Sequence, residues 1–151
     1  MYTIDLKKVE YPATLPDRIL KEWDKRVATL VGQKNPANGE VLDRAGAEKL
    51  VDKKAFAFNP VIEFENTVIN TLALYMQAEY TNAESKTIVA PYDVRKMLTR
   101  VRGKIYDAED GVIQLSDEQY DFLKKALTAD GQMSDYVIYI AEYVEGLTKD
   151  K

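Results

Sequence analysis

The chain has 151 residues, 46% of them hydrophobic and 30% charged, with a net charge of −4. That composition suits a single soluble domain (1–151) able to bury a core, and its mild acidity argues against indiscriminate phosphate binding. Cysteine and histidine are both absent. Their absence excludes disulfides, thiolate nucleophiles, cysteine zinc sites and the commonest general base.

Tyr2, Ile4 and Leu6 alternate with Thr3, Asp5 and Lys7, which predicts a half-buried strand running to about Val9. Asp5, Lys7 and Lys8 also interrupt any secretory signal at this end, so a cytoplasmic protein is expected. Pro16 suits a first helical position, and Ile19, Leu20, Trp23, Val27, Leu30 and Val31 follow as a helical stripe centred on the only tryptophan. Gly32–Glu40 is a Gly/Asn/Pro-rich loop, after which a helix is predicted over Asp43–Phe56 with Ala47, Leu50 and Val51 inward.

Asn59-Pro60 reads as an N-cap followed by proline at the first helical position. Behind it one stripe (Val61, Phe64, Val68, Leu72, Tyr75) lies beside a second (Ile62, Ile69, Ala73, Met76). So wide an apolar arc predicts the central helix of the fold. Glu63, Glu65, Asn66 and Asn70 keep this segment out of a bilayer. The next helix is expected from Pro91, with Val94, Met97, Leu98, Val101 and Ile105 inward, and the last over Asp135–Leu147, with Ser134 as its N-cap.

Lys104–Leu123 resembles a calcium loop at first sight. With Gly111 at position 6, Asp110, Ile113 and Asp117 fall at positions 5, 8 and 12, but Tyr106 and Ala108 occupy positions 1 and 3, where oxygen ligands are needed. A structural reading explains more residues. Asp110-Gly111 turns the chain, Val112–Leu115 extends as a strand able to pair with Tyr2–Val9, and Ser116 with Gln119 forms a capping box for the helix that follows. No metal, cofactor or catalytic residue is predicted. The carboxylates of Glu63 and Glu65 face apart on a helix, and no phosphate-loop, dinucleotide or nucleophile-elbow motif is present.

Two constellations remain as candidate partner-binding sites. Arg95, Lys96, Arg100 and Arg102, with Lys104, lie outside the apolar stripe of their helix and are flanked by Tyr92 and Tyr106. Such a face is either merely solvated or grips an acidic protein or a nucleic acid. In the last helix Tyr136, Tyr139 and Tyr143 form a stripe beside Val137, Ile140 and Val144, together wider than a core-facing stripe requires. The trio is thus a candidate interface with a protein partner or a second copy.

The stretch "DVRKMLTRVRGKIYDAEDGVIQLSDEQYDFLKKAL" resembles, in texture, small accessory proteins of tailed bacteriophages. The resemblance covers about a quarter of the chain and carries no functional residue across. It implies a role in virion assembly, or in acting on a host protein, through protein contacts in the host cytoplasm or the virion. The expectation is a mainly α (α+β) fold, with five or six helices around a central apolar helix and a small two-stranded β element. The expected function is a non-catalytic protein–protein interaction module, acting on a protein partner or by self-association; a nucleic-acid-binding regulator using the basic helix face is the alternative.

Overall fold

In the computed structural model, which describes residues 1–131 and 135–151, two short strands and six α-helices are present among the described residues. They are β1 (Tyr2–Asp5), α1 (Leu15–Leu30), α2 (Arg44–Leu50), α3 (Pro60–Tyr80), α4 (Tyr92–Tyr106), β2 (Val112–Leu115), α5 (Asp117–Leu127) and α6 (Asp135–Glu145). This is the mainly helical α+β class expected. Ser134, the anticipated cap of α6, lies outside the described residues. Among those residues no helix is long and apolar enough to cross a membrane.

The chain forms two compact units, each with its own apolar cluster. One unit comprises Met1–Tyr11 with Pro60–Lys151, the other Pro12–Asn59. In the larger unit β1 and β2 pair antiparallel, with Ile4 opposite Ile113. Behind them α3 packs on α4, α5 and α6 through Phe64, Val68 and Leu72, all fully buried. This face is the first stripe read from the sequence.

The second stripe of α3 departs from expectation. Ile62 and Ala73 are exposed and Ile69 is half-buried; only Met76 joins the core. The covering helices occupy one side of α3, and that side takes in Thr67 and Thr71 instead. Thr71 is tolerated there because its hydroxyl donates to the Thr67 carbonyl at 2.7 Å, which satisfies a buried polar group.

Two elements stop sooner than their hydrophobic pattern suggests, and in both an aspartate is the cause. β1 ends at Asp5 rather than near Val9, because the Asp5 carboxylate accepts from the Lys7 N–H at 3.0 Å and starts a 3-10 turn over Leu6–Lys8. The helix predicted over Asp43–Phe56 is broken after Leu50, which is exposed. Val51 is extended, and the Asp52 carboxylate caps a separate 3-10 turn, Lys53–Phe56, by accepting from the Lys54 N–H at 3.0 Å. The break frees the Val51 carbonyl to accept the Trp23 indole N–H at 3.0 Å. In the smaller unit Trp23, Val27, Ala47 and Val51 form the cluster, with Leu30 and Phe56 against it. α1 begins one residue before Pro16, and Leu20 and Val31 of its predicted stripe are exposed.

No internal repeat is visible in the sequence, yet one loop geometry occurs twice. The Asn35 N–H donates to the Glu40 carbonyl, the Gly39 N–H to the Asn35 carbonyl, and the Ala37 N–H to the Asn35 side chain. Asn82 does the same with Thr87, Lys86 and Glu84. The fifth residue of each loop has positive φ: +73° at Gly39 and +55° at Lys86. A side chain is strained there, whereas glycine is not. Lys86→Gly is therefore expected to raise stability by about 0.5–1 kcal/mol, after glycine's own entropy cost. Chemical denaturation would measure it, and a loss of stability would mean that the Lys86 side chain contributes a contact of its own.

At the start of α5 the capping box is complete. The Gln119 N–H donates to Ser116 Oγ at 3.2 Å and the Ser116 N–H to Gln119 Oε1 at 2.9 Å. Ser116→Ala should cost about 1 kcal/mol in the same assay.

Candidate functional site

The turn into β2 sets the geometry of the site. Asp110 and Gly111 both have positive φ (+53° and +71°), and the Val112 N–H donates to the Glu109 carbonyl at 3.0 Å, as in a type I′ hairpin turn. Gly111 is required twice over, since a Cβ there would also meet Val61 Cγ2 at 3.0 Å. The turn brings β2 back beside the last turns of α4. Among the described residues no group of three or more carboxylates gathers as a metal site would require.

Which groups of β2 point outward follows from a single bond. The Leu6 N–H donates to the Gly111 carbonyl at 2.7 Å. Hydrogen-bonded and non-bonded pairs alternate along an antiparallel ladder, so with this register Ile113 and Leu115 bond to β1. The backbone groups of Val112 and Gln114 consequently face away from β1. Lys104 Nζ confirms the phase by donating to the Gln114 carbonyl at 2.6 Å. On this outer side Val112 is bridged antiparallel to Glu109 across the turn, which leaves the Gln114 N–H as the outward backbone donor of β2 without a partner among the described residues. The outer edge of β1, by contrast, is covered: the Asp5 N–H donates to the Tyr143 hydroxyl at 3.0 Å, and the Asp150 N–H to the Met1 carbonyl at 2.9 Å.

Val112, Ile113 and Gln114 of β2 form one wall of an open groove of 760 Å³, and the other wall is α4 from Arg100 to Lys104 with its C-cap Asp107. Arg100 and Lys104 lie along it, with Asp107 and Glu109 toward the turn. Gly103 leaves the wall open, since a Cβ there would meet nothing within 4 Å. Arg100 also lines an adjoining 300 Å³ depression with Tyr92, Arg95, Lys96 and Thr99. The Tyr92 ring carries Lys96 Nζ 4.8 Å and Arg95 Cζ 5.6 Å from its centroid. Lys96 has a long contact to Asp93, 3.9 Å; Arg95, Arg100 and Arg102 have no ion pair among the described residues.

Of the basic residues singled out from the sequence, Arg95, Lys96 and Arg100 are thus brought together. Arg102 is half-buried on the flank and lines neither depression. The tyrosines of α6 make their contacts elsewhere. Tyr143 meets Asp5, Tyr139 lies edge-on to Tyr11 at 6.3 Å, and Tyr136 is half-buried. The outward donor at Gln114 and the open wall at Gly103 were not read from the sequence. The alternation of exposed Gln114 between buried Ile113 and Leu115 was the available signal.

Nothing in the groove titrates by histidine, which the chain lacks. Away from the groove, two tyrosines of the interior are displaced. Tyr120 donates its hydroxyl to the Val144 carbonyl at 2.7 Å, and burial pushes its pKa, like that of Tyr75, above the ordinary tyrosine range. The raised pKa means a contribution to stability that is complete below about pH 10 and lost as pH climbs further. Comparison with protein-family models, with curated proteins and with solved structures finds no match.

Proposed function

We propose that the protein is a non-catalytic interaction module, and that the exposed face of α4 with its adjoining groove takes up an acidic protein partner. The observation that carries this reading is the run of cations, Arg95, Lys96 and Arg100, that leads into an open groove without carboxylates to neutralise the two arginines. Surface charges left uncompensated along one face attract and orient an oppositely charged partner. A nucleic acid is the second candidate. Stacking of bases requires a free aromatic face, and of the two exposed tyrosines that flank this face, Tyr92, the one beside Arg95 and Lys96, already carries both of these cations. That favours the protein partner. On the resemblance to phage accessory proteins, such a partner would belong to a virion or to the host.

The test is affinity capture from nuclease-treated lysate by wild type and by Arg95→Glu/Arg100→Glu, with the exposed pair Lys124→Glu/Lys125→Glu as control. A protein retained by wild type and by the α5 control, and lost from the α4 variant, supports the reading. Retention that disappears with nuclease treatment, or survives the α4 reversal, sinks it.

A further inference from the structure

We infer that the acidic partner of the α4 face is a second copy of this chain, which presents the carboxylate-bearing face of its α6, so that copies join α4 to α6. This inference deepens the acidic-partner reading and rests on it.

The two faces are opposite in charge. Over its length α4 holds Arg95, Lys96, Arg100, Arg102 and Lys104 against the single carboxylate of Asp93. The sequence of α6 contains no cation. Its Glu142 and Glu145 are exposed and have no ion pair among the described residues. Asp24, Glu48 and Asp117, by comparison, are already answered within the chain by Arg44 and Lys149. Uncompensated faces of opposite sign attract and orient one another.

The faces also match in shape. On α6 the two glutamates line a depression of 290 Å³ together with buried Leu127 and Val137 and with Ile138, which is 58% exposed. The depression on α4 measures 300 Å³ and is lined by the exposed ring of Tyr92 and by Arg95, Lys96 and Arg100, whose aliphatic stems can cover an apolar side chain. Tyr92, Lys96 and Arg100 recur every four residues and share one side of α4. Ile138, Glu142 and Glu145 share one side of α6 at i, i+4 and i+7.

Laid side by side in the same direction, the helices set Tyr92 against Ile138, Lys96 against Glu142 and Arg100 against Glu145. The opposite direction sets Tyr92 against Glu145 and Arg100 against Ile138, so the parallel sense fits. Asp93 does not prevent it, because its contact with Lys96 is long, at 3.9 Å, and solvent-exposed. Each copy carries both faces, so the contact either closes as a pair or ring or propagates head to tail.

The experiment is light scattering on the full chain as wild type, as Lys96→Glu/Arg100→Glu, as Glu142→Lys/Glu145→Lys, and as a one-to-one mixture of the two variants. Wild type should exceed the mass of one chain at about 1 mM, a concentration that half-fills even a contact with a Kd of that size. Each variant alone should have the mass of one chain, because it sets like charges against each other. The mixture should regain the wild-type mass, since every contact in it again joins opposite charges. Melting temperatures show whether the variants are folded. Where a double reversal melts early, the single reversals Arg100→Glu and Glu145→Lys, both at exposed positions, take its place in the same comparison. A wild type of single-chain mass overturns the inference and leaves the acidic-partner reading to the capture experiment. Association that survives either reversal places the contact elsewhere and overturns it too. So does a mixture of folded variants that stays at the mass of one chain.

Discussion

Trp23→Ala is expected to unfold the 12–59 unit while leaving α3–α6 folded. The unit's cluster is small, four buried residues with Leu30 and Phe56 against them, and the indole is its largest member. Truncating a buried tryptophan costs about 3–5 kcal/mol, and the Val51 carbonyl loses the N–H it accepts at 3.0 Å, worth about 1 kcal/mol more. A unit of this size has a net stability of only a few kcal/mol, on the order of 0.1 kcal/mol per residue. The loss is therefore comparable with the whole. The cations over the ring, Lys53 Nζ at 4.9 Å and Arg44 Cζ at 5.8 Å, sit at exposed positions and add about 0.5–1 kcal/mol each at most. Hydrogen exchange read by mass spectrometry is the direct measurement: peptides from 15–56 should lose protection, and those from 60–80 and 92–127 should keep it. Trp23→Phe retains most of the ring and should cost less than half as much. Full protection across 15–56 in Trp23→Ala would show that the unit is held by something other than this cluster.

The same residue shows what a sequence can and cannot disclose. The helical period around Trp23 identifies it as an inward anchor, and period-reading works equally well for Phe64, Val68, Leu72 and Tyr75 of α3. Local chemistry is legible too: Pro60 begins α3, and Ser116 with Gln119 caps α5. The end of α2 is different. Leu50 fits the apolar pattern of a longer helix, but the Val51 carbonyl is taken by an indole distant in sequence, and the Asp52 cap completes the break. The first of these is a tertiary event with no local sequence signal. The candidate groove divides in the same way. Its cations were legible as a basic helix face. The backbone that lines it was not, because which groups of β2 face away from β1 depends on pairing between residues far apart, fixed by the Leu6–Gly111 bond.

The tyrosines of α6 give the sharpest contrast between the two kinds of reading. From sequence alone they form a stripe separate from the aliphatic one, and truncating them is expected to spare folding and weaken association. In the structure Ile140 is fully buried, with Val137 and Val144 beside it, so Ile140→Ala should cost about 2–5 kcal/mol. Tyr143 is half-buried, and its hydroxyl accepts the Asp5 N–H at 3.0 Å. That donor points away from β2 in the register described, and without the hydroxyl it loses its partner. Tyr143→Phe should then cost about 1 kcal/mol, the worth of one such bond, and Tyr143→Ala more, as the ring's packing is lost with it. Tyr139→Ala removes the edge-on contact with Tyr11 and should cost about 1 kcal/mol, the scale of an aromatic pair. Urea denaturation of these variants gives the order Ile140→Ala, then Tyr143→Ala, then Tyr143→Phe and Tyr139→Ala, and light scattering run on the same samples reports association independently. A Tyr143→Ala protein that keeps the wild-type midpoint but falls to a lower mass would mean that the ring serves an interface between copies, and that its bond to Asp5 contributes nothing to the fold.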